Sequence, residues 1–295
     1  MTAPPDAAWL PAAARALGGS AAVVARTPLA GGYVAASVER VDLDVDGRPV
    51  PVVLKAASPV EVAAMRAVAV VRPVAPGPGL LAAGEGWIVV PFVDGTPPAE
   101  GEPVPDAAWE ALARVHAHWW RRRPRGIPLV DAAHWRGLCD RTLVAVRGAA
   151  ARTGDPAFTE VADALTAWRT DPRVGGALAG LPRTLVHGDA HRGNVLGGAL
   201  IDWGNARVAP AGVDVLTLAG APGAPAPQAY TALFDALRPG ARPPGVAEVE
   251  RAWADVHVHV HYLGFAADHL GVERVGEMAA VAERGLTILG PLLAT

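Results

Sequence analysis

The sequence has almost no lysine and almost no cysteine. Of its 26 basic side chains, 25 are arginine and one, Lys55, is lysine. The single cysteine, Cys139, excludes an internal disulfide and any zinc site built from several thiolates. No apolar run reaches ~18 residues without a charge, so no segment reads as a membrane-spanning helix. The opening stretch, MTAPPDAAWLPAAARALGG, lacks the basic-then-apolar pattern of a secretory signal. The formal net charge of −3 gives no strong field of either sign for nucleic acid or a membrane surface, and no segment repeats at a fixed period. Together these absences lead to the expectation of a cytoplasmic monomer with no nucleic-acid or membrane partner.

What is present is a large apolar fraction, 51% of 295 residues, enough for a sizeable core in one or two domains. Bias toward Ala, Gly, Pro and Arg is that of a GC-rich genome. Where arginine is the default base, a lone lysine is either chance at an exposed strand end or the mark of a site that needs a compact ammonium rather than a planar guanidinium. Lys55 ends the run PVPVVLK, which reads as a strand.

The first ~95 residues read as strands with one or two helices. AAVVARTPL and YVAASVERVDLDV are valine-rich and partly alternating, with Gly31 and Gly32 between them. VDGR is a hairpin turn, because Asp-Gly tolerates positive φ. SPVEVAAMRAVAVV begins a helix with Ser58 as N-cap, Pro59 at the first helical position and Glu61 three residues after the cap. GWIVVPFV, residues 86–93, is a further strand, and DGTPPAEGEPVP reads as a linker. A boundary near residue 95 therefore separates 1–95 from a mainly helical 96–295. Helices are expected in PDAAWEALARVHAHWW and near 131–152, 156–170, 225–237, 246–270 and 272–293.

One stretch of this half is different: LVHGDAHRGNVLGGALIDWGNA, residues 185–206. Gly197-Gly198 fits a two-residue turn that pairs Leu196 with Ala199, Val195 with Leu200 and Asn194 with Ile201. Asn194 then enters a hairpin that Asp202 leaves. Strict alternation would put residues 201 and 202 on opposite faces, so the strand end must relax before the oxygens of 194 and 202 face one ion. An amide oxygen beside a carboxylate suits Mg²⁺ completed by phosphate and water. Asp189 lies five residues before Asn194, giving His-x-Asp-x₄-Asn followed by a second Asp. In phosphoryl transfer one such Asp takes the proton of the acceptor hydroxyl, while the Asn and the other Asp hold metal.

HGDAHRGN followed by IDWGNARVAPAGVD resembles the aminoglycoside phosphotransferase and choline kinase superfamily, which shares the protein-kinase fold. The resemblance implies an α+β, two-lobed protein-kinase-like fold. A small antiparallel-sheet lobe (1–95) would bind ATP. A larger helical lobe (96–295) would carry the catalytic loop and the acceptor site. It implies Asp189 as catalytic base, with His191 approaching the γ-phosphate, and Asn194 and Asp202 as Mg²⁺ ligands. His187 would support the loop, and Asp214 would brace it. Lys55 would hold the α- and β-phosphates, and Gly31 and Gly32 would let backbone approach the nucleotide. Pro91, Phe92 and Val93 would form the hinge reading the adenine edge. Glu61 has two readings, a partner for Lys55 or a capping glutamate. Acids at 248, 250, 255, 268, 273, 277 and 283 fall in the region that lines the acceptor pocket in the family; they are either an ordinary solvated helix face or a wall that would favour a cationic acceptor. His257, His259 and His261 would share a face only on a strand; a helix scatters them.

The implied activity is ATP-dependent phosphorylation of a hydroxyl on a small molecule, of which an antibiotic is one class. Choline-like amines, homoserine and sugars are alternatives. Two rivals are a nucleotide-binding pseudokinase and a metallophosphoesterase. GDAH matches the opening of the latter, but no Gly-His-x-His follows.

Overall fold

The computed structural model describes residues 4–29, 37–71, 79–242 and 245–294. The chain divides into two compact units: residues 1–119, 123–128 and 187–206 form the first, and 120–122, 129–186 and 207–295 the second. Gly31 and Gly32 lie outside the described residues.

The first unit is built on a five-stranded antiparallel sheet, order β1-β2-β3-β5-β4. Its strands are β1 (Ala21–Pro28), β2 (Val38–Val45), β3 (Arg48–Ala56), β4 (Ala82–Gly84) and β5 (Trp87–Pro91). Asp46 and Gly47, at φ 51° and 80°, make the expected left-handed turn between β2 and β3. One sheet face carries Val41, Leu43, Val52, Leu54 and Val89, and helix α1 (Asp6–Leu17) packs Trp9 and Ala13 into the same cluster. Because side chains alternate, Val52 and Leu54 enter this core while Lys55 turns to the other face. Lys55 is paired in register with Val38 on one side and Ile88 on the other.

Helix α2 (Pro59–Ala69) starts as the sequence predicts: Ser58 is extended, its Oγ accepts the Glu61 N–H at 3.1 Å, and Pro59 occupies the first turn. Helix α3 (Asp106–Trp119) completes the N-terminal part of this unit.

The second unit holds α4 (Ala132–Thr153), α5 (Pro156–Trp168), α6 (Pro172–Gly180), α7 (Gly212–Ala219), α8 (Gln228–Leu237), α9 (Val246–His269) and α10 (Val272–Leu293). A two-stranded pairing of β6 (Thr184–Val186) with β9 (Arg207–Ala209) accompanies them. Trp135, Phe158, Leu165, Trp253, Leu263 and Leu286 are among the side chains of its main hydrophobic cluster. Asp131, Asp155 and Asp171 each accept a backbone N–H at the start of a helix, at 2.8–2.9 Å. Among the described residues, no helix is long and apolar enough to cross a membrane.

Candidate active site

The residues singled out around 187–206 belong to the same unit as Lys55 and Glu61. The hairpin forms in the expected register: β7 (Val195–Leu196) pairs with β8 (Ala199–Leu200), and the Ile201 N–H donates to the Asn194 carbonyl at 2.9 Å. Gly197 and Gly198 take φ 53° and 82°, the angles of a two-residue primed turn. Space is also tight there. A Cβ on Gly197 would lie 3.4 Å from the Asp94 carbonyl and 3.6 Å from Val93 Cγ1, so the chain leaving β5 runs against this turn.

The alternation problem at the hairpin's end is solved by Asp202 itself. It adopts φ 61°, ψ 66°, a left-handed conformation that costs a non-glycine residue roughly 1–2 kcal/mol. This breaks the strand and starts a 3₁₀ turn over Trp203–Asn205. The Asp202 carboxylate then meets Lys55: Nζ donates to Asp202 Oδ1 and to Glu61 Oε1, both at 2.7 Å. Lys55 and Glu61 are largely buried, whereas the Asp202 side chain is 46% exposed. Glu61 thus does both things the sequence allowed, since its backbone N–H is capped by Ser58 while its carboxylate holds Lys55.

The charges respond to one another. Burial alone would lower the Lys55 pKa, but Glu61 and Asp202 more than offset it and hold the ammonium above its ordinary range. Burial acts on Asp202 in the opposite sense, and the Lys55 hydrogen bond and charge outweigh it, lowering this carboxyl. Glu61 is raised, because its burial outweighs the attraction of Lys55. Glycine at 204 keeps the cluster open: a Cβ there would stand 3.3 Å from Asp202 Oδ1 and 3.7 Å from Glu61 Oε2.

Asp189 and Asn194 form the adjoining half. The Asn194 amide nitrogen donates to the Asp189 carbonyl at 2.8 Å, which leaves its amide oxygen without a partner among the described residues. Asp189 Oδ2 accepts from the Asn205 amide at 3.2 Å. Asn205 was not singled out from sequence; it stands three residues after Asp202, at the end of the same 3₁₀ turn, and links the two aspartates through it. His191 caps the turn over Arg192–Asn194, its Nδ1 accepting the Gly193 N–H at 3.0 Å. Its other ring nitrogen stands 4.0 Å from Asp189 Oδ1, on a side chain that is half exposed. His187 is fully buried: Nε2 donates to the Ile201 carbonyl at 2.7 Å, and its ring lies 4.6 Å from that of Trp203. Arg192 reaches the linker, donating to the Ala99 carbonyl at 2.6 Å.

In β5 and its continuation the backbone alternates sides. The Val89 carbonyl accepts from Leu81 on the β4 side, and the Phe92 N–H donates to Pro51 on the β3 side at 3.1 Å. Phe92 therefore has no donor left for a ligand, and its ring stacks under Arg40, 4.7 Å from the guanidinium carbon. Continued alternation would turn Pro91 C=O and Val93 N–H to the other edge.

The remaining expectations concern the second unit. Asp214 lies fully buried in the first turn of α7. His257, His259 and His261 are on helix α9 and form no metal site, and no metal-holding group of three or more His, Cys, Asp or Glu occurs among the described residues. Five of the seven acids have partners of their own. Glu250 pairs with Arg242 (3.3 Å), Asp268 with Arg152 (2.9 Å) and Glu277 with Arg274 (2.8 Å). Asp255 accepts the Gly223 N–H at 3.1 Å, and Glu283 accepts the Trp168 indole N–H at 2.8 Å.

A family model described as "Phosphotransferase enzyme family" matches residues 12–250. Among solved structures, a type I macrolide 2′-phosphotransferase is 21% identical, with 95% of this chain and 98% of that one covered and a TM-score of 0.50. A choline kinase from Cryptosporidium parvum Iowa II is 9% identical, covering 92% and 88%, TM-score 0.56. A GDP complex of an aminoglycoside 2′-phosphotransferase-IIIa mutant is 15% identical, covering 90% and 92%, TM-score 0.51. These likenesses establish the α+β, two-lobed kinase-like fold. A search of curated proteins gives no match.

Proposed function

Because the chain belongs to the phosphotransferase enzyme family and is a small-molecule O-phosphotransferase, we propose that it transfers the γ-phosphoryl group of ATP to a hydroxyl of a small molecule, with an antibiotic as the acceptor. The observation that carries the nucleotide site is the bridged ammonium, Lys55 Nζ at 2.7 Å from both Glu61 and Asp202. An ammonium fixed between two acids would meet the α- and β-phosphates. Pro91 C=O and Val93 N–H offer an acceptor and a donor to the adenine edge.

The donor set fits Mg²⁺. Two hard oxygens, the partnerless Asn194 amide oxygen and the exposed Asp202 carboxylate, are few enough for an ion that keeps waters and phosphate in its shell. When bound, Mg²⁺ would supply charge neutralisation between the phosphates. Asp189 would orient the acceptor hydroxyl and take its proton, with the Asn205 amide fixing the direction of its carboxylate. His191, with one ring nitrogen engaged by Gly193 and the other available, would approach the transferring phosphate. Positioning and electrostatics would supply most of the rate.

An antibiotic acceptor rests by association on the arginine-rich composition of a GC-rich genome; the HGDAHRGN loop is the broad form of the motif and singles out no acceptor branch. Choline-like amines, homoserine and sugars are the competing acceptors. The deciding experiment is a screen of hydroxylated antibiotics and metabolites for acceptor-dependent ADP release, with Asp189→Asn as control. The variant should bind Mg-ATP normally yet lose more than ~100-fold in turnover. Full activity would remove Asp189 from its role. Nucleotide binding with no turnover on any acceptor would favour a pseudokinase.

A further inference from the structure

The second unit contains a pocket of about 470 Å³ between α7, α9 and α10. None of the residues assigned to nucleotide, metal or proton transfer lines it. Its size falls within the range of small-molecule sites. The walls are mostly apolar, from Leu216, Val258, Phe265, Met278 and Val281 among others. Phe265 and Leu270 at its edge are 45% and 54% exposed, an uncovered apolar surface beside a concavity.

The polar side chains that line the pocket, Tyr262 included, are nearly all engaged. Arg274 and Glu277 neutralise each other at 2.8 Å. The Thr217 hydroxyl donates to the Val213 carbonyl at 2.7 Å. His259 is the exception. Its Nδ1 lies 2.7 Å from the Asp255 carbonyl, which can only accept, so the ring proton sits on Nδ1 and Nε2 is an acceptor. No described residue donates to that Nε2. Burial lowers the pKa of His259 and keeps the ring neutral.

This chemistry selects a narrow class. A charged ligand finds no free counter-ion, and a pure hydrocarbon leaves the imidazole acceptor dry and unpaired, which is costly. We propose that this pocket binds an uncharged, largely apolar small molecule that donates a hydroxyl to Nε2 of His259. The proposal does not rest on the phosphotransfer reading, since every residue it uses lies in the second unit.

The test uses the full chain and two neutral probes, 1-naphthol and 1-methoxynaphthalene, titrated calorimetrically. Wild type should bind 1-naphthol roughly 3- to 10-fold more tightly than the methyl ether, the worth of one neutral hydrogen bond. His259→Phe should erase that preference while retaining the methyl ether's affinity. His259→Gln, which keeps an acceptor, should restore part of it. Val281→Trp, which fills the pocket, should abolish binding of both, with circular dichroism confirming its fold. The proposal is overturned if neither probe binds, if wild type shows no preference, or if Val281→Trp binds like wild type. Mg-ATP binding measured on the same samples reports the first unit separately, so failure of either reading is distinguishable.

Discussion

Acidifying the protein from about pH 8 to about pH 5 should cost it several kcal/mol of stability, and the loss can be traced to named histidines. His261 stacks parallel to His257, ring centroids 6.3 Å apart at 3°, and burial, reinforced by the charge of Arg207, pushes its pKa down to about 3. His257 is fully buried and depressed well below its ordinary value for the same reasons. In the unfolded chain a histidine titrates near ~6.5. Above that pH neither state is protonated and the two lose nothing to each other. Below it the unfolded chain takes up a proton that the folded chain refuses, so stability falls by ~1.4 kcal/mol per pH unit for each such group. At about pH 5, His261 alone accounts for ~2 kcal/mol, and His257 adds in the same direction. Glu61 works against this trend, because its raised pKa lets the folded state gain a proton as the pH falls. A difference measurement removes that contribution. Urea titrations followed by tryptophan fluorescence at both pH values should show that His261→Gln loses ~2 kcal/mol of the acid sensitivity of wild type. Superimposable pH profiles for variant and wild type would refute the reasoning.

Three substitutions probe the first unit. Glu61→Gln keeps the backbone N–H that Ser58 caps but weakens the grip on Lys55; Mg-ATP affinity should drop at least ~10-fold, with the melting midpoint shifted by only a few degrees. Unchanged affinity would leave Glu61 as a capping residue alone. Asn205→Ala removes the amide that orients Asp189; kcat should fall ~10-fold while nucleotide Kd stays constant, and an equal loss in both would mark a merely structural residue. Gly198→Ala places a Cβ at φ 82°, and should lower unfolding free energy by roughly 1–2 kcal/mol in a denaturant titration.

The sequence made the hairpin readable because glycine pairs and strand alternation are local signals. The register of Val195 with Leu200 and the links from Asn194 to Ile201 follow from them. The left-handed Asp202 does not, since periodicity describes regular strands and this residue departs from one. Asn205 escaped notice for a related reason: its partner Asp189 lies 16 residues back, across the hairpin, and no local pattern joins them. Long helices such as α4, α9 and α10 were evident from apolar spacing. Helix α6 was not, because PRVGGALAG carries three glycines, and neither was the pairing of the three-residue β6 and β9. An acidic wall over 248–283 could not be told from an ordinary solvated helix face by counting acids without their partners, which include an arginine as distant as Arg152.

The ion pair between Lys55 and Asp202 joins residues 147 positions apart, and it lies inside a unit whose sequence is interrupted by residues 120–122 and 129–186. At ~5–20 residues per second, a ribosome needs roughly 7–30 s after making Lys55 before it adds Asp202. For that interval the nascent N-terminal sheet carries its ammonium with Glu61 as sole acidic company. A truncated gene product ending before residue 187 would be frozen in that state, its ammonium never meeting Asp202.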